Sequence, residues 1–406
     1  MAKVDRPVVI GGGAAGIAAC LTLEAAGKSP ILLEGGDRLG GRLRTEHMSD
    51  GTPVDVGFQV LLTAYPELQR WTDMAALEPV RFVPGARIHR AGQWRTLADP
   101  RRRPTLIPAT LFSGIGTWSD RLRILRMVAR VRRGPAEAVQ TQSGAGTTLE
   151  GLRDAGFSEG FIAGFLRPFF SGIFLNRDLA PPMAQFQYTL RMFASGDVVR
   201  PRGGVEALVH HWKGRMERTE VRLNHRVSAL AGCRIELEHG EAIEADQIIC
   251  TVPELLSSAA PVSWNGALNA VFEVEDGPFG LPIIGLLPEA HTVTNFHYMA
   301  DVQGQEGEGK LNATAVLSDG VSVESGLEAM AEDLHAAGVR VGKCLWHAAI
   351  PKALPKLNHV APALSNPEIR PGLWRAGDAT AAPSLDAALR SGRVAAEALV
   401  NDTERT

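Results

Sequence analysis

The sequence predicts an α/β protein built on a parallel sheet, and three stretches predict it. "VVI" (Val8 to Ile10) is a short apolar run that enters "GGGAAG" directly, and the helix-period stretch "IAACLTLEAAG" follows, closed by Gly27. "SPILLE" supplies a second apolar run, ending at Glu34. Far along the chain, "LWRAGD" reads as another strand, ending at Gly377-Asp378, with a helix through "AALRSGRVAAEALV" behind it. Short, continuously apolar strands alternating with helices belong to a parallel sheet covered on both faces.

The first stretch carries chemistry at each step. Gly11 makes a tight turn, Gly13 lets the backbone approach a pyrophosphate, and Gly16 lets helix and strand pack closely. Ala14 and Ala15 open the helix, whose free amides and partial positive charge suit phosphates. Glu34, at the end of the second strand, can accept hydrogen bonds from ribose hydroxyls, which favours FAD or NAD over NADP.

A second glycine pair separates those two. After Glu34 come Gly35 and then Gly40, Gly41 and Arg42, in "GGDRLGGRLRT". Here the chain resembles the superfamily of flavin-containing amine oxidases, phytoene desaturases and protoporphyrinogen oxidases. In that superfamily a Gly-Gly-Arg element lies over the FAD pyrophosphate. The resemblance continues in order. "RPRGGVEALVHHW" matches a glycine-led helix start. Val227 matches a valine whose backbone meets adenine, and a hairpin turning at Gly240 leads to a buried strand, Gln247 to Thr251, before "VP". At the C-terminal end, the resemblance implies that Asp378 hydrogen-bonds the ribityl or pyrophosphate region. It also implies that the helix start around Leu385, Ala387 and Ala388 faces the flavin pyrimidine edge. Ser384 or Asp386 can cap that helix.

The implied architecture is a Rossmann-like, discontinuous FAD-binding domain from residues 1–70, 200–255 and 365–406. Residues 71–199 and 256–364 form an inserted α+β substrate-binding domain with a helical cover. At 406 residues the chain is long enough for both cores. A formal net charge of −3 gives no pull toward nucleic acid, and no apolar run reaches the ~18–20 residues of a membrane span. No secretory leader fits "MAKVDRP", and Cys20, Cys233, Cys250 and Cys344 form no CxxC pair, so a cytoplasmic protein with reduced thiols is expected. The eleven histidines show no zinc spacing, and no metal is expected. "DVQGQEGEGK" (301–310) reads as a loop.

The substrate side is less specific. "DGTPVDVGFQ" resembles the segment lying along the flavin ring: Gly57 and Phe58 would approach the cofactor, and Gln59 would orient substrate or water, unless the stretch is a core turn. "LWHAAIPKALP" resembles a W-x-x-A-x-P element of desaturases and protoporphyrinogen oxidases, in which Trp346 either lines the cavity or packs in the core. The amine-oxidising branch commonly carries a lysine just after the "TVP" strand, and residues 261–280 contain none. "GFLRPFFSGIFLNRDLAPPMAQFQYTLRMFASGD" is either a helical wall for an apolar substrate or ordinary core.

The expected activity is hydride removal from an apolar substrate onto non-covalent FAD, with an amine oxidase or a non-redox flavoprotein as rivals. A single dinucleotide fingerprint implies reoxidation by dioxygen or a quinone. Residues 101–133 alternate arginines with Leu122, Leu125, Val128 and Ala129. Such a helix covers the substrate entrance or contacts an anionic membrane.

Overall fold

The structure, a computed structural model, describes residues 2–57, 60–136, 146–256, 262–317, 320–356, 367–380 and 383–403. Its centre is a six-stranded sheet. In spatial order the strands are Glu220–Arg222, Ile31–Leu33, Val8–Ile10, Ile248–Cys250, Leu373–Arg375 and Glu368–Arg370. All neighbours are parallel except the last pair. Val8 pairs with both Ile31 and Ile248, so three distant segments are in register at one level. The three middle strands are buried along their whole lengths, which explains why they are apolar without alternation.

The helix Ala14–Ala25 packs on this sheet and is buried from Ala15 to Leu23. Against it lies the C-terminal helix Leu385–Thr403. A Cβ on Gly392 would overlap the carbonyl oxygen of Ala15, so glycine is required where the two helices cross. Beside the parallel sheet, Ala2–Val4, Ala242–Ala245, Arg234–Leu237 and Val227–Ala231 form a second sheet, with the expected turn at Gly240.

A seven-stranded mixed sheet lies elsewhere in the chain. Its order is Val341–Pro355, Trp264–Val274, Lys310–Leu317, Val293–Tyr298, Ile284–Leu286, Gly85–Arg90 and Gln93–Ala98. Residues 85–98 thus join a sheet otherwise made after residue 263. The helices Trp118–Val131, Thr148–Asp154, Arg167–Phe174 and Met183–Ser195 share an apolar core with strands Gly85–Arg90 and Ile284–Leu286 of this sheet. Phe170, Phe174 and Phe186 are buried there, each contributing about 1.5–3 kcal/mol.

The segment read as a loop, 301–310, is more ordered than expected. It forms a short helix, Ala300–Gln303, and a 3₁₀ turn, Gly304–Gly307. Gly307 sits against the Met299 backbone so closely that any side chain would collide with it. Among the described residues no helix is long and apolar enough to cross a membrane.

Candidate functional site

The two glycine elements meet. Gly13 and Gly40 form a parallel β-bridge, and the Gly40 amide donates to Gly12 O at 2.8 Å. Gly11 (φ +98°) and Gly41 (φ +58°) hold left-handed backbone that glycine adopts without strain. A Cβ on Gly16 would overlap Gly11 O, as expected for a residue that lets helix and turn pack closely. A Cβ on Gly13, in contrast, would meet nothing within 4 Å. The helix beginning at Ala14 has no side-chain cap and no acidic residue in its first turn, so its amides remain open to an anion.

Glu34 is fixed before any ligand arrives. Its carboxylate accepts from the Gly12 amide at 2.6 Å and the Gly36 amide at 2.7 Å, one on each oxygen. Further lone pairs remain for hydroxyl donors. Gly35, next to it, faces away: a Cβ there would press on the Arg226 side chain.

Arg42 reaches across to the C-terminal motif. It donates to Asp378 at 2.6 and 2.9 Å and to Ala353 O at 3.0 Å, and its guanidinium lies over Trp264. The Gly377 amide donates to Ser391 Oγ at 2.8 Å, tying the strand end to the helix behind it. Of the two expected capping residues, Ser384 takes the role, accepting from the Ala387 amide at 3.0 Å. Asp386 instead faces the neighbouring helices, accepting from the Glu67 amide at 2.9 Å and Tyr188 Oη at 2.6 Å. Burial pushes its carboxyl above the usual range, against the pull of those two hydrogen bonds.

One continuous cavity of about 1470 Å³ joins these groups to the helical region. At one end it is lined by Gly11, Gly13, Ala14, Ala15, Glu34, Gly40, Gly41, Arg42, Gly377, Asp378, Leu385 and Ala388. Gly57, Ala267 and Ile350 also line it, and Phe161, Phe165, Phe169, Phe170 and Phe193 supply an aromatic wall. Leu111, Trp118, Leu122 and Leu125 line it too while standing substantially exposed, and so form a rim. Thus the phenylalanine-rich segment lines the cavity as well as filling core.

Five expected residues lie off the cavity wall. Gly16 and Gly35 face protein, as above, and Ala387 is buried in the C-terminal helix. Val227 pairs with Leu237 in the outer sheet and packs on its core. Trp346 packs against the cluster of Val54, Val271 and Met299, whereas Ala349 to Leu354 line the cavity. The strand pairing slips at Asn265/Ala267, Val271/Phe272 and Phe272/Val274, so side chains do not alternate strictly between the two faces along it. Phe58 and Gln59 lie outside the described residues. Sequence reasoning singled out no role for Gly12, Thr251, Ala267 or Asn295, which also line the cavity, as does Arg121 from the arginine-rich segment 101–133. Thr251 had a signal in its place at the "TVP" strand end, and Gly12 in its place within "GGGAAG".

Near the cavity a buried polar core braces the sheets. Asp55 accepts from Thr45 Oγ1 at 2.7 Å, the Val205 amide at 2.8 Å and Arg200 Nε at 2.8 Å. Asp55 and Arg200 are only 5% exposed at their side chains. Burial, assisted by Arg200, lowers His297 to about 3 and keeps it neutral. Cys20 and Cys250 are buried and their thiols pushed up by burial, so neither is a nucleophile. Among the described residues no group of three His, Cys, Asp or Glu could hold a metal.

These features fit an extended dinucleotide. An open helix start, an unfilled space at Gly13, an acid at the strand end and a cavity larger than the ~300–1,000 Å³ of ordinary ligand pockets lie together. Residues 14–260 match the family model described as flavin containing amine oxidoreductase. A coproporphyrinogen III oxidase of Mycobacterium leprae is 31% identical over 173 residues, which are 41% of this chain and 36% of that protein. The match therefore spans about a third of that relative. Among solved structures, a putative protoporphyrinogen oxidase from Exiguobacterium sp. 255-15 aligns with a TM-score of 0.66 and 19% identity, over 99% of this chain and all of the other. A putrescine oxidase bound to putrescine aligns with a TM-score of 0.69 and 16% identity, over 98% of this chain and all of the other. At such identities the structural likeness speaks for the fold. With more than half the chain matched and a site shaped for its dinucleotide, the protein belongs to the flavin containing amine oxidoreductase family, and its cofactor is non-covalent FAD.

Proposed function

We propose that this protein is an FAD-dependent oxidoreductase that removes a hydride from an apolar substrate, closer in chemistry to desaturases and porphyrinogen oxidases than to amine oxidases. The aromatic wall of Phe161, Phe165, Phe169, Phe170 and Phe193, continuous with the glycine-lined end of the cavity, carries this reading. A substrate held there gains about 0.8 kcal/mol per buried methylene and needs no ionic partner.

In this reading Glu34 orients ribose hydroxyls, and the amides at the Ala14–Ala25 helix start face the pyrophosphate. Arg42 and Asp378 close over it from opposite ends of the chain. The flavin, when bound, supplies a two-electron acceptor for the hydride, which dioxygen or a quinone then removes. The protein's own part is orientation and exclusion of water. Gly57 and Ala267 leave room beside the flavin, and the aromatic wall holds the substrate carbon against it. The lysine that resemblance to amine oxidases would place in residues 261–280 is missing, and β-strand Trp264–Val274 presents Ala267 to the cavity. Among the described residues the lysine that lines the cavity, Lys352, is paired with Glu254.

The division into an FAD-binding part (1–70, 200–255, 365–406) and a substrate part (71–199, 256–364) goes with this proposal, as does a cover formed by the Trp118–Val131 helix. That helix is anchored by Asp120, which accepts from Thr117 and Ser158; burial opposes its ionisation, but these hydrogen bonds carry its carboxyl down to about 2. Its exposed rim of Trp118, Leu122 and Leu125 among arginines suits contact with an anionic membrane, from which an apolar substrate would enter.

Anaerobic mixing tests the reading. The bound flavin's visible band should bleach with polyenes or porphyrinogens and not with mono- or polyamines. Bleaching by amines alone would establish the amine-oxidase rival. Product formed without bleaching or acceptor consumption would establish a non-redox flavoprotein.

A further inference from the structure

Two tyrosines stack between the two ends of the cavity. The rings of Tyr65 and Tyr188 lie with centroids 6.4 Å apart and planes 16° from parallel. Their hydroxyls differ. Tyr188 is buried, and its Oη donates to Asp386 at 2.6 Å. Tyr65 lines the cavity, and its Oη has no hydrogen-bond partner among the described residues. Nor is that oxygen one of the side-chain atoms that lack both a partner and solvent access, so it stays within reach of a ligand. Other hydroxyls on the cavity wall are already committed: Thr110 Oγ1 accepts from the Ala98 amide, Thr251 Oγ1 donates to Ile10 O, and Thr314 Oγ1 donates to Asn269 Oδ1.

The place of Tyr65 says what it meets. It packs on the core of Ala15, Ala388 and Leu389, at the dinucleotide end, and on the cluster of Leu62, Tyr188 and Met192, which Phe193 of the aromatic wall also joins. It therefore stands where the two halves of the cavity meet. Pro66 follows it and confines its backbone to an extended form (φ −63°, ψ 118°), while the stack on Tyr188 fixes its ring. Burial pushes its phenol up and the Asp386 carboxyl adds to the shift, so it stays protonated and available as a donor.

Solvent satisfies a hydroxyl in an open cavity, and a ligand that displaces solvent must replace that hydrogen bond or leave a buried donor unmade. An apolar substrate has no acceptor to give. The flavin ring has two carbonyls. With its phosphates at the Gly11–Ala14 turn, an extended dinucleotide runs past Asp378 and Leu385 toward the wall, and its ring arrives at the junction. We infer that Tyr65 Oη donates a hydrogen bond to a carbonyl of the bound flavin ring, which makes Tyr65 a further cofactor-binding residue, held in place by Tyr188. The inference rests on FAD as the cofactor and on the apolar-substrate reading, which leaves the flavin as the acceptor.

The test uses the full chain and its Tyr65→Phe variant, which keeps the ring and its stack. Each apoprotein is titrated with FAD and with ADP, which lacks the flavin, and no substrate is present. Tyr65→Phe is expected to weaken FAD binding about threefold to tenfold, the ordinary net worth of one hydrogen bond. ADP affinity should stay within twofold, and the apoprotein's melting temperature should not fall, because the hydroxyl has no protein partner to lose. In infrared difference spectra of the FAD-loaded proteins, a flavin carbonyl stretch should move to higher frequency in the variant. Equal FAD affinity in the two proteins, or an unmoved carbonyl stretch, overturns the inference. Parallel losses of FAD and ADP affinity overturn it as well, since they would mark a structural role. A wild-type apoprotein that binds ADP but not FAD would sink the cofactor assignment itself. The outcome is independent of what the substrate proves to be, so failure here and failure of the apolar-substrate reading are separate results.

Discussion

Arg42 and Asp378 stand 336 positions apart in the chain and meet through two hydrogen bonds of 2.6 and 2.9 Å. The Gly-Gly-Arg element and the C-terminal Gly-Asp element are therefore one device. Asp378 is buried, whereas Arg42 is partly exposed and is steadied by Trp264 and Ala353 O. The acid aims the arginine at the cavity instead of at solvent. Asp378→Asn keeps the shape and weakens one charge-assisted contact, and Arg42→Ala removes the guanidinium. Hydrogen bonds to charged groups contribute about 1.5–3 kcal/mol, so each change should weaken FAD affinity by roughly tenfold to a hundredfold. Flavin content after dialysis and fluorescence titration of the apoprotein would measure it. Unchanged affinity in Arg42→Ala would show that the arginine serves the fold alone.

Gly13 and Gly16, three residues apart, should fail in different ways. The φ of −75° at Gly13 suits alanine, and a Cβ there enters empty cavity. Gly13→Ala should leave the apoprotein's melting temperature unchanged and sharply reduce FAD binding. At Gly16 the Cβ collides with the Gly11 carbonyl, forcing helix and turn apart. Gly16→Ala should therefore lower apoprotein stability by about 1–3 kcal/mol, the ordinary cost of overpacking. Thermal melts of the two apo variants, followed by FAD titration, separate a cofactor contact from a packing contact.

This contrast also explains what the sequence could and could not reveal. Gly11, Gly13, Gly16, Glu34, Gly40, Gly41, Arg42 and Asp378 were legible because close backbone approach demands glycine and a strand end fixes where the acid stands. Such constraints act locally and leave contiguous motifs. The cavity wall leaves none: Ala267, Phe169 and Arg121 come from three elements that adjoin only after the mixed sheet and helices pack. Trp346 stayed open between cavity and core for a related reason: it packs on the cluster of Val54, Val271 and Met299, and its own neighbours in the sequence do not announce which of the two faces it takes. Gly392 is an intermediate case. A glycine inside a helix costs about 1 kcal/mol relative to alanine, a signal of close approach that the sequence reading did not take up and that does not name the partner helix.

The rim predicts membrane contact of a particular kind. Phe112 and Trp118 are 82% and 70% exposed, and Leu122 and Leu125 lie beside them on a helix rich in arginine. Aromatic and aliphatic side chains inserted at a bilayer surface, with arginines among the headgroups, give binding that depends on both lipid charge and salt. Wild-type protein should float with vesicles containing anionic lipid at low salt and remain behind with neutral vesicles. At 1 M salt, where screening acts within ~3 Å, binding should fall markedly. The double variant Trp118→Ser, Leu122→Ser should lose flotation and keep its FAD, since neither residue touches the glycine elements. Equal flotation of wild type and variant would remove the rim from the account.

His297 sets the acid limb of stability. It is buried beside Arg200, edge-on to Phe82, and its imidazole is lowered from 6.5 to about 3 by burial first and the arginine second. Asp55 neutralises Arg200 in the same core. The unfolded chain takes up a proton at this histidine near pH 6.5 and the folded chain only near pH 3. Between those values the unfolded state binds more protons, so folding weakens as the pH falls. The contribution is complete above pH 6.5, and each pH unit below it removes up to about 1.4 kcal/mol. At pH 4.5 the wild type should therefore have lost about 2–3 kcal/mol through this residue that His297→Gln does not lose. Urea unfolding of both proteins at pH 7.5 and 4.5 measures the difference directly. The absolute stability of the variant does not matter to the comparison, because each protein is compared with itself at the higher pH. Parallel acid limbs would mean that His297 takes up its proton in the folded state without penalty, and that water or a rearranged Asp55 reaches it.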